Sequence, residues 1–274
     1  MEILQPESWR EALEMKAAEP EARPIAGGTD LMVELNFDRA RPAAILDLTR
    51  VPELGEWGPE DGRLRIGAGV TYTRLIDELG DRLPGLAIAS RTVGSPQIRN
   101  RGTVGGNLGT ASPAGDALPP LYAADAEVEL ESPRGKRRMP IADFVTGPKR
   151  TALAEDELIA AVLVPPADGP EQFAKIGTRN AMVIAVCSLG LRVSGGRVAA
   201  CIGSAGPTPI RAREAEEFMA AEREWSDTVL AQFGRLVAQA AQPIDDVRGT
   251  AAYRRHALAV LARRTLAWAV QACA

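Results

Sequence analysis

Apolar positions recur at helical spacing from the start of the chain. In SWREALEMKAA, Trp9, Leu13 and Ala17 share one face, and Ser8 stands where it can cap the first turn. ARPIAGG then reads as a short strand running into a glycine turn. TDLMVELNF follows as a helix entered at that turn, with Thr29 or Asp30 as its cap. AAILDLT, residues 43–49, is a second strand. Strand, glycine turn, helix and strand in close succession predict a compact α/β unit.

The texture changes after Asp61. RLRIGAGVTYTRL predicts a strand followed by a helix, and AEVELESPRGKRRMPI an antiparallel hairpin turning at residues 133–135. ELIAAVLVP, residues 157–165, is a further strand closed by two prolines, and PPADGPEQ is the best linker. Two strands then surround Gly195 and Gly196, and three helices close the chain over residues 211–225, 226–241 and 253–274. We therefore expect three parts: residues 1–55, an N-terminal α/β subdomain; 56–168, a larger α+β subdomain; and 169–274, a lobe of sheet and helices.

Composition narrows the chemistry. The 274 residues are 46% hydrophobic and 25% charged, with a formal net charge of -4, which argues against nucleic acid as the main partner. The amphipathic, charged start does not read as a signal peptide. No run approaches the roughly 18 apolar residues of a membrane span, so a cytoplasmic location is expected. Cys187, Cys201 and Cys273 form no C-x-x-C pair, and His256 is the single histidine. A metal cluster held by this chain, or a Ser-His-Asp or Cys-His nucleophile, has little to work with, so reactivity should come from an organic cofactor.

Two segments have the makings of a phosphate cradle: Ala26-Gly27-Gly28-Thr29-Asp30 and Gly102-Thr103-Val104-Gly105-Gly106-Asn107, some 75 residues apart. Adjacent glycines let backbone N–H groups turn toward one point, and Thr29, Thr103 and Asn107 add side-chain hydrogen bonds. Neither segment is a P-loop, and Gly67-Ala68-Gly69 fails the dinucleotide pattern because Tyr72 stands at its sixth position. On these grounds alone, structural turns and a bipartite dinucleotide site remain equally open.

PIAGGTDLMVELN and TVGGNLGTASPAGD resemble the two flavin-binding signatures of the medium, FAD-binding subunit of the molybdenum hydroxylases, the xanthine dehydrogenase and aerobic carbon monoxide dehydrogenase family. The similarity continues through FVTGPKRTALAEDELIAAVLVP, FAKIGTRNAMVIAVCSLGLRV, GSAGPTPIRAREAEEFM and YRRHALAVLARRTL, nearly the whole chain in order. GPKRT departs from the aromatic residue that often precedes Arg-Lys, which loosens the match at Lys149 and Arg150.

The resemblance implies an α+β FAD-binding fold of the vanillyl-alcohol oxidase type, two α/β subdomains plus a C-terminal antiparallel sheet with helices. It implies non-covalent FAD held by Pro24, Ile25, Ala26, Gly27, Gly28, Thr29, Asp30 and Leu31. Thr103, Val104, Gly105, Gly106 and Asn107 would grip the cofactor from a second loop. Asp116 would contact the flavin, Val93 and Ile159 would pack on it, and Lys175 would lie near the isoalloxazine. Molybdopterin and [2Fe-2S] clusters would sit on a large and a small partner subunit in a dimer of heterotrimers, with NAD, a quinone or oxygen as acceptor. TRNAMVIAVCS and TASPAGD are nearer the bacterial xanthine (purine) dehydrogenases. A carbon monoxide or other N-heterocycle enzyme, or a stand-alone FAD oxidoreductase, is the alternative. Read without the resemblance, Asp116 caps a turn, Lys175 is a solvated strand residue, His256 packs or faces solvent, and Cys187 and Cys201 are buried thiols. Arg99 and Arg101 have no assigned role.

Overall fold

The computed structural model describes residues 1–271; Cys273 and the end of the predicted last helix lie outside them. The chain divides into two interleaved compact units. The first comprises Met1–Arg74, Ser95–Ala111 and Ala126–Pro165; the second comprises Leu75–Gly94, Ser112–Asp125 and Pro166–Ala274.

The first unit contains two main sheets. Ala44–Asp47 lies centrally in a three-stranded parallel sheet, flanked by Glu2–Leu4 and Arg23–Ile25. The helix Trp9–Ala18 is capped by Ser8, whose Oγ accepts the Glu11 N–H at 3.2 Å, and it buries Ala12 and Leu13. Those side chains join Leu46, Val51, Leu54, Ala68 and Leu158 in one core. The second sheet is antiparallel, in the order Trp57–Glu60, Arg63–Gly67, Leu158–Val164, Glu127–Ser132 and Gly135–Pro140. Along Glu127–Ser132 the period is two: Val128 and Leu130 point to the core and Glu127, Glu129 and Glu131 alternate with them. Glu129 is nonetheless fully buried, because Arg65, Arg138 and Lys136 close over it at 2.8, 2.9 and 3.2 Å.

One irregularity positions the site. The register of Leu158–Val164 against Glu127–Ser132 slips between Ile159 and Ala161, a β-bulge at Ala160. The Ala160 carbonyl accepts the Ala68 N–H at 2.9 Å, and the Ala68 carbonyl accepts the Gly105 N–H at 2.9 Å. The bulge thus reaches the second glycine segment through one residue.

The second unit is built on an antiparallel sheet of four strands, Glu171–Ile176, Cys187–Ser194, Arg197–Gly203 and Ile210–Arg211. Gly195 and Gly196 have φ of +53° and +75°, the paired positive values that a two-residue hairpin turn demands. The helices Arg213–Ala221, Asp227–Ala240 and Ala251–Gln271 supply Met219, Phe233, Val237, Leu258 and Leu266 to the core against Leu189, Leu191 and Ile202. Burying Phe233 completely contributes about 2–3 kcal/mol. Gly190 admits the helix Leu118–Ala123: a Cβ there would lie 2.5 Å from the Pro119 backbone. The buried Arg254 ties the long helix to the Val186 and Ser204 carbonyls and to Asp246.

Candidate functional site

The strand Arg23–Ile25 ends at the first glycine pair, and the helix Leu31–Asn36 begins just beyond it. Asp30 occupies the cap position, but neither it nor Thr29 caps the helix through its side chain; the entry is closed by Met32 N–H donating to the Gly28 carbonyl at 3.1 Å. Gly28 has φ +74°, open only to glycine at low cost. Gly27 has a different reason to lack a side chain. A Cβ on it would fall 2.0 Å from the Arg101 carbonyl oxygen and 2.9 Å from the Gly102 nitrogen. The two glycine segments therefore meet backbone to backbone at Gly27.

The second segment is helical where a turn was expected. Thr103 caps Val104–Thr110, its Oγ1 accepting the Gly106 N–H at 3.0 Å. Gly105 and Gly106 lack the positive φ of an anion-binding nest, because a capped first turn holds them in helical geometry. Gly105 is packed against Ala68, whose Cβ lies 2.5 Å from where its own would be. Gly106, by contrast, is exposed and approached only by the Thr103 hydroxyl, at 3.1 Å. One helical step on, the Oδ1 of Asn107 is buried without a hydrogen-bond partner. Ile159 approaches the same helix, its Cδ1 3.5 Å from the Cβ position of Gly109. Residues 24–31, 103–107 and Ile159 thus come together in one unit.

That arrangement separates structural glycines from available ones. Gly27 and Gly105 are filled by the protein's own backbone, whereas Gly106 leaves a surface that another molecule can approach closely. Beside it stands an oxygen of Asn107 that lacks a donor, and a buried acceptor left this way costs about 1–3 kcal/mol. A ligand with hydroxyl or N–H groups, such as the ribityl chain of FAD, matches that acceptor in chemistry.

Asp116 and Lys175 come together in the second unit around Thr92, the residue before Val93. The strand Glu171–Ile176 carries Lys175, whose Nζ donates to Asp116 Oδ2 at 2.5 Å, the Thr92 carbonyl at 2.9 Å and the Val183 carbonyl at 3.1 Å. An ammonium has three N–H donors, and all are engaged. Thr92 Oγ1 also donates to Asp116 Oδ2, at 3.2 Å, while Asp116 Oδ1 is buried and has no partner. Burial pushes the Asp116 carboxyl up, against the pull of Lys175 and Thr92. Asp116 is therefore the member of this group with an acceptor to offer, and Lys175 acts by charge and by holding its neighbours in place.

Thr92 escaped sequence reasoning, because a threonine ahead of Val93-Gly94 carries no distinctive signal. Ala68 was overlooked inside Gly67-Ala68-Gly69, although that triplet was weighed as a dinucleotide motif. Its glycines make room for the Leu54 backbone, whose oxygen would lie 2.4 and 3.0 Å from their Cβ atoms. His256 is exposed on the last helix. Cys187 and Cys201 are buried, with the Cys187 thiol pushed up to about 11 by burial. Lys149 has φ +54° and pairs with Glu34 at 2.6 Å. Among the described residues no helix is long and apolar enough to cross a membrane, and no group of three or more acidic, histidine or cysteine side chains could hold a metal.

The family described as the FAD binding domain in molybdopterin dehydrogenase matches residues 1–167, and the CO dehydrogenase flavoprotein C-terminal domain matches residues 172–269. The chain is 34% identical over 274 residues to the xanthine dehydrogenase FAD-binding subunit of Escherichia coli O157:H7, covering 96% of this chain and 93% of that one. It is 36% identical over 208 residues to the nicotinate dehydrogenase FAD-subunit of Eubacterium barkeri, covering 71% and 70%. In three dimensions it is similar to a chain of the carbon monoxide dehydrogenase of Hydrogenophaga pseudoflava, with a TM-score of 0.92, 29% identity and coverage of 100% and 98%. The fold is thus the FAD-binding domain followed by the antiparallel C-terminal sheet of that family, and the chain belongs to the FAD-binding subunits of the molybdenum hydroxylases.

Proposed function

We propose that this chain is the electron-transfer subunit of a xanthine- or purine-oxidising molybdenum hydroxylase. Electrons would arrive from [2Fe-2S] clusters on a small partner subunit, drawn in turn from a large molybdopterin subunit, and leave for NAD or another acceptor. The observation that carries the flavin reading is the exposed Gly106 beside the unpaired Asn107 Oδ1. The purine reading is supported by 34% identity over 96% of the chain to a xanthine dehydrogenase subunit. The nicotinate relative, 36% identical over a shorter span, favours a second reading in which the complex hydroxylates an N-heterocyclic acid.

FAD, when bound, supplies the one- and two-electron exchange that no side chain provides. The protein's part is to bind and orient it. The turn at Ala26–Asp30 and the helix start at Thr103–Asn107 would hold the diphosphate and ribityl region through their backbone. Pro24, Ile25 and Leu31 shape the approach to that turn, and Ile159 backs the second segment. On the second unit we retain Asp116, with Lys175 and Val93, as flavin contacts. The Asp116 Oδ1 would accept a hydrogen bond from the flavin, and Lys175, bonded to Oδ2, holds the carboxyl group in register.

Purification of the chain alone and of its complex from the native host tests both levels. The isolated chain should be yellow and release FAD on denaturation; a colourless chain that takes up no added FAD overturns the flavin reading. The complex should contain molybdenum and iron and reduce a dye with xanthine. Reduction with nicotinate or carbon monoxide but not xanthine overturns the purine reading, and purine turnover by the isolated chain overturns the need for partners.

A further inference from the structure

We propose, on the flavin reading above, that Arg101 supplies the counter-charge for the FAD diphosphate and so sets how tightly the dinucleotide, as distinct from its flavin ring, is held. The two glycine segments bring no positive charge of their own: residues 24–31 and 103–107 contain one ionisable group, the carboxyl of Asp30, which is exposed. A diphosphate placed against these loops would meet backbone dipoles and one like charge. A cation would offset both, and four basic residues of this unit stand near the segments in sequence or through a shared partner; one of them, Arg99, is already engaged. Arg23, directly before Pro24, pairs with Glu34 at 3.6 Å, and Lys149 pairs with the same carboxylate at 2.6 Å. Both are drawn to that one carboxylate, which offsets one of their two charges and holds them to the helix Leu31–Asn36.

Arg101 is differently placed. Its carbonyl is the group that the missing Gly27 side chain would strike, so its backbone lies directly against the first glycine turn. Two residues later the chain reaches Thr103, the cap of the second segment. Arg101 therefore stands at the seam of both segments. Its side chain is exposed and makes no hydrogen bond or ion pair among the described residues. An arginine fork matches two phosphate oxygens at once, and such charge-assisted bonds are about twice as strong as neutral ones. Folding gives this guanidinium nothing else to hold, while its backbone is pinned where the two loops meet.

The full-length chain, stripped of flavin, should be titrated with FAD and with riboflavin, which lacks the phosphates, following flavin fluorescence. Arg101→Gln should weaken FAD binding about tenfold and Arg101→Glu more, while Arg101→Lys keeps part of the affinity. Riboflavin affinity should be the same in all four proteins. The gap between wild type and Arg101→Gln should shrink at high salt, since the charge is exposed and screened. Wild-type uptake of FAD with equal affinity in the Gln and Glu variants overturns the role of Arg101 and leaves the flavin reading intact. Parallel losses for FAD and riboflavin also overturn it, because they mark a structural effect. A wild-type chain that binds neither overturns both.

Discussion

Gly106 and Gly28 look alike in the sequence and differ in what a substitution would test. A side chain at Gly28 must adopt φ +74°, so a Gly28→Val variant would lose flavin and backbone stability together. Gly106 sits in a helix with helical φ, where alanine is favoured over glycine by up to about 1 kcal/mol. That gain is opposed by the 3.1 Å approach of the new methyl group to the capping Thr103 Oγ1, so Gly106→Ala should stay folded with an unfolding temperature within a few degrees of wild type, while its FAD affinity falls roughly tenfold as the methyl group intrudes on the ligand face. Thermal unfolding and a flavin titration of the same sample check this, and unchanged affinity would remove Gly106 from the site. The first glycine turn was legible as a turn, because a Gly-Gly between a strand and a helix reverses the chain, while the residues alone left its use as a cradle open. The engagement of Lys175 by three acceptors was not, since Thr92 and Asp116 lie 83 and 59 residues away and no local pattern links them to it or to Val183, eight residues on.

At the level of elements, the best-read segment was Glu127–Ser132, where alternating glutamate and apolar residues announce a strand. The pattern did not announce that Glu129 is buried under Arg138 from the adjacent strand and Arg65 from the strand beyond Leu158–Val164. Burial alone would raise its pKa, but bonds from Arg65 and Arg138 leave it below the ordinary 4.5. A carboxyl lowered in this way stabilises the fold above about pH 4.5 and loses that contribution as pH falls through its folded value. Glu129→Gln should cost about 2 kcal/mol at pH 7, less than a fully buried pair because Arg65 and Arg138 are partly solvated. Denaturant midpoints at neutral pH and near pH 3 check this: the gap should close on acidification, and a constant gap would refute the ion-pair account. The helix Val104–Thr110 was illegible for the opposite reason. Three of its seven residues are glycine, and only the Thr103 cap and the bonds to Ala68 and Val70 make it form.

Over the whole molecule, the chain leaves and re-enters each unit. The first crossing falls at Arg74–Leu75, within the helix Tyr72–Leu79, where no change of composition marks it. Residues 75–94 and 112–125 therefore belong with the sheet that comes last. Leu118, Leu121 and Tyr122 are buried there, and their helix packs on the strand Cys187–Ser194. A fragment of residues 1–165 should accordingly aggregate, although it contains every residue of the first unit; size-exclusion chromatography showing a monodisperse fragment would contradict the interleaving. The same threading sets an order of events during synthesis. At about 5–20 residues per second, the glycine segments and the strand behind them leave the ribosome several seconds before the last helix does. During that interval two apolar segments trail without their sheet. Completion of the newborn chain's fold is thus tied to the arrival of its carboxyl-terminal third, and until then Leu118, Leu121 and Tyr122 are a surface for chaperones to cover.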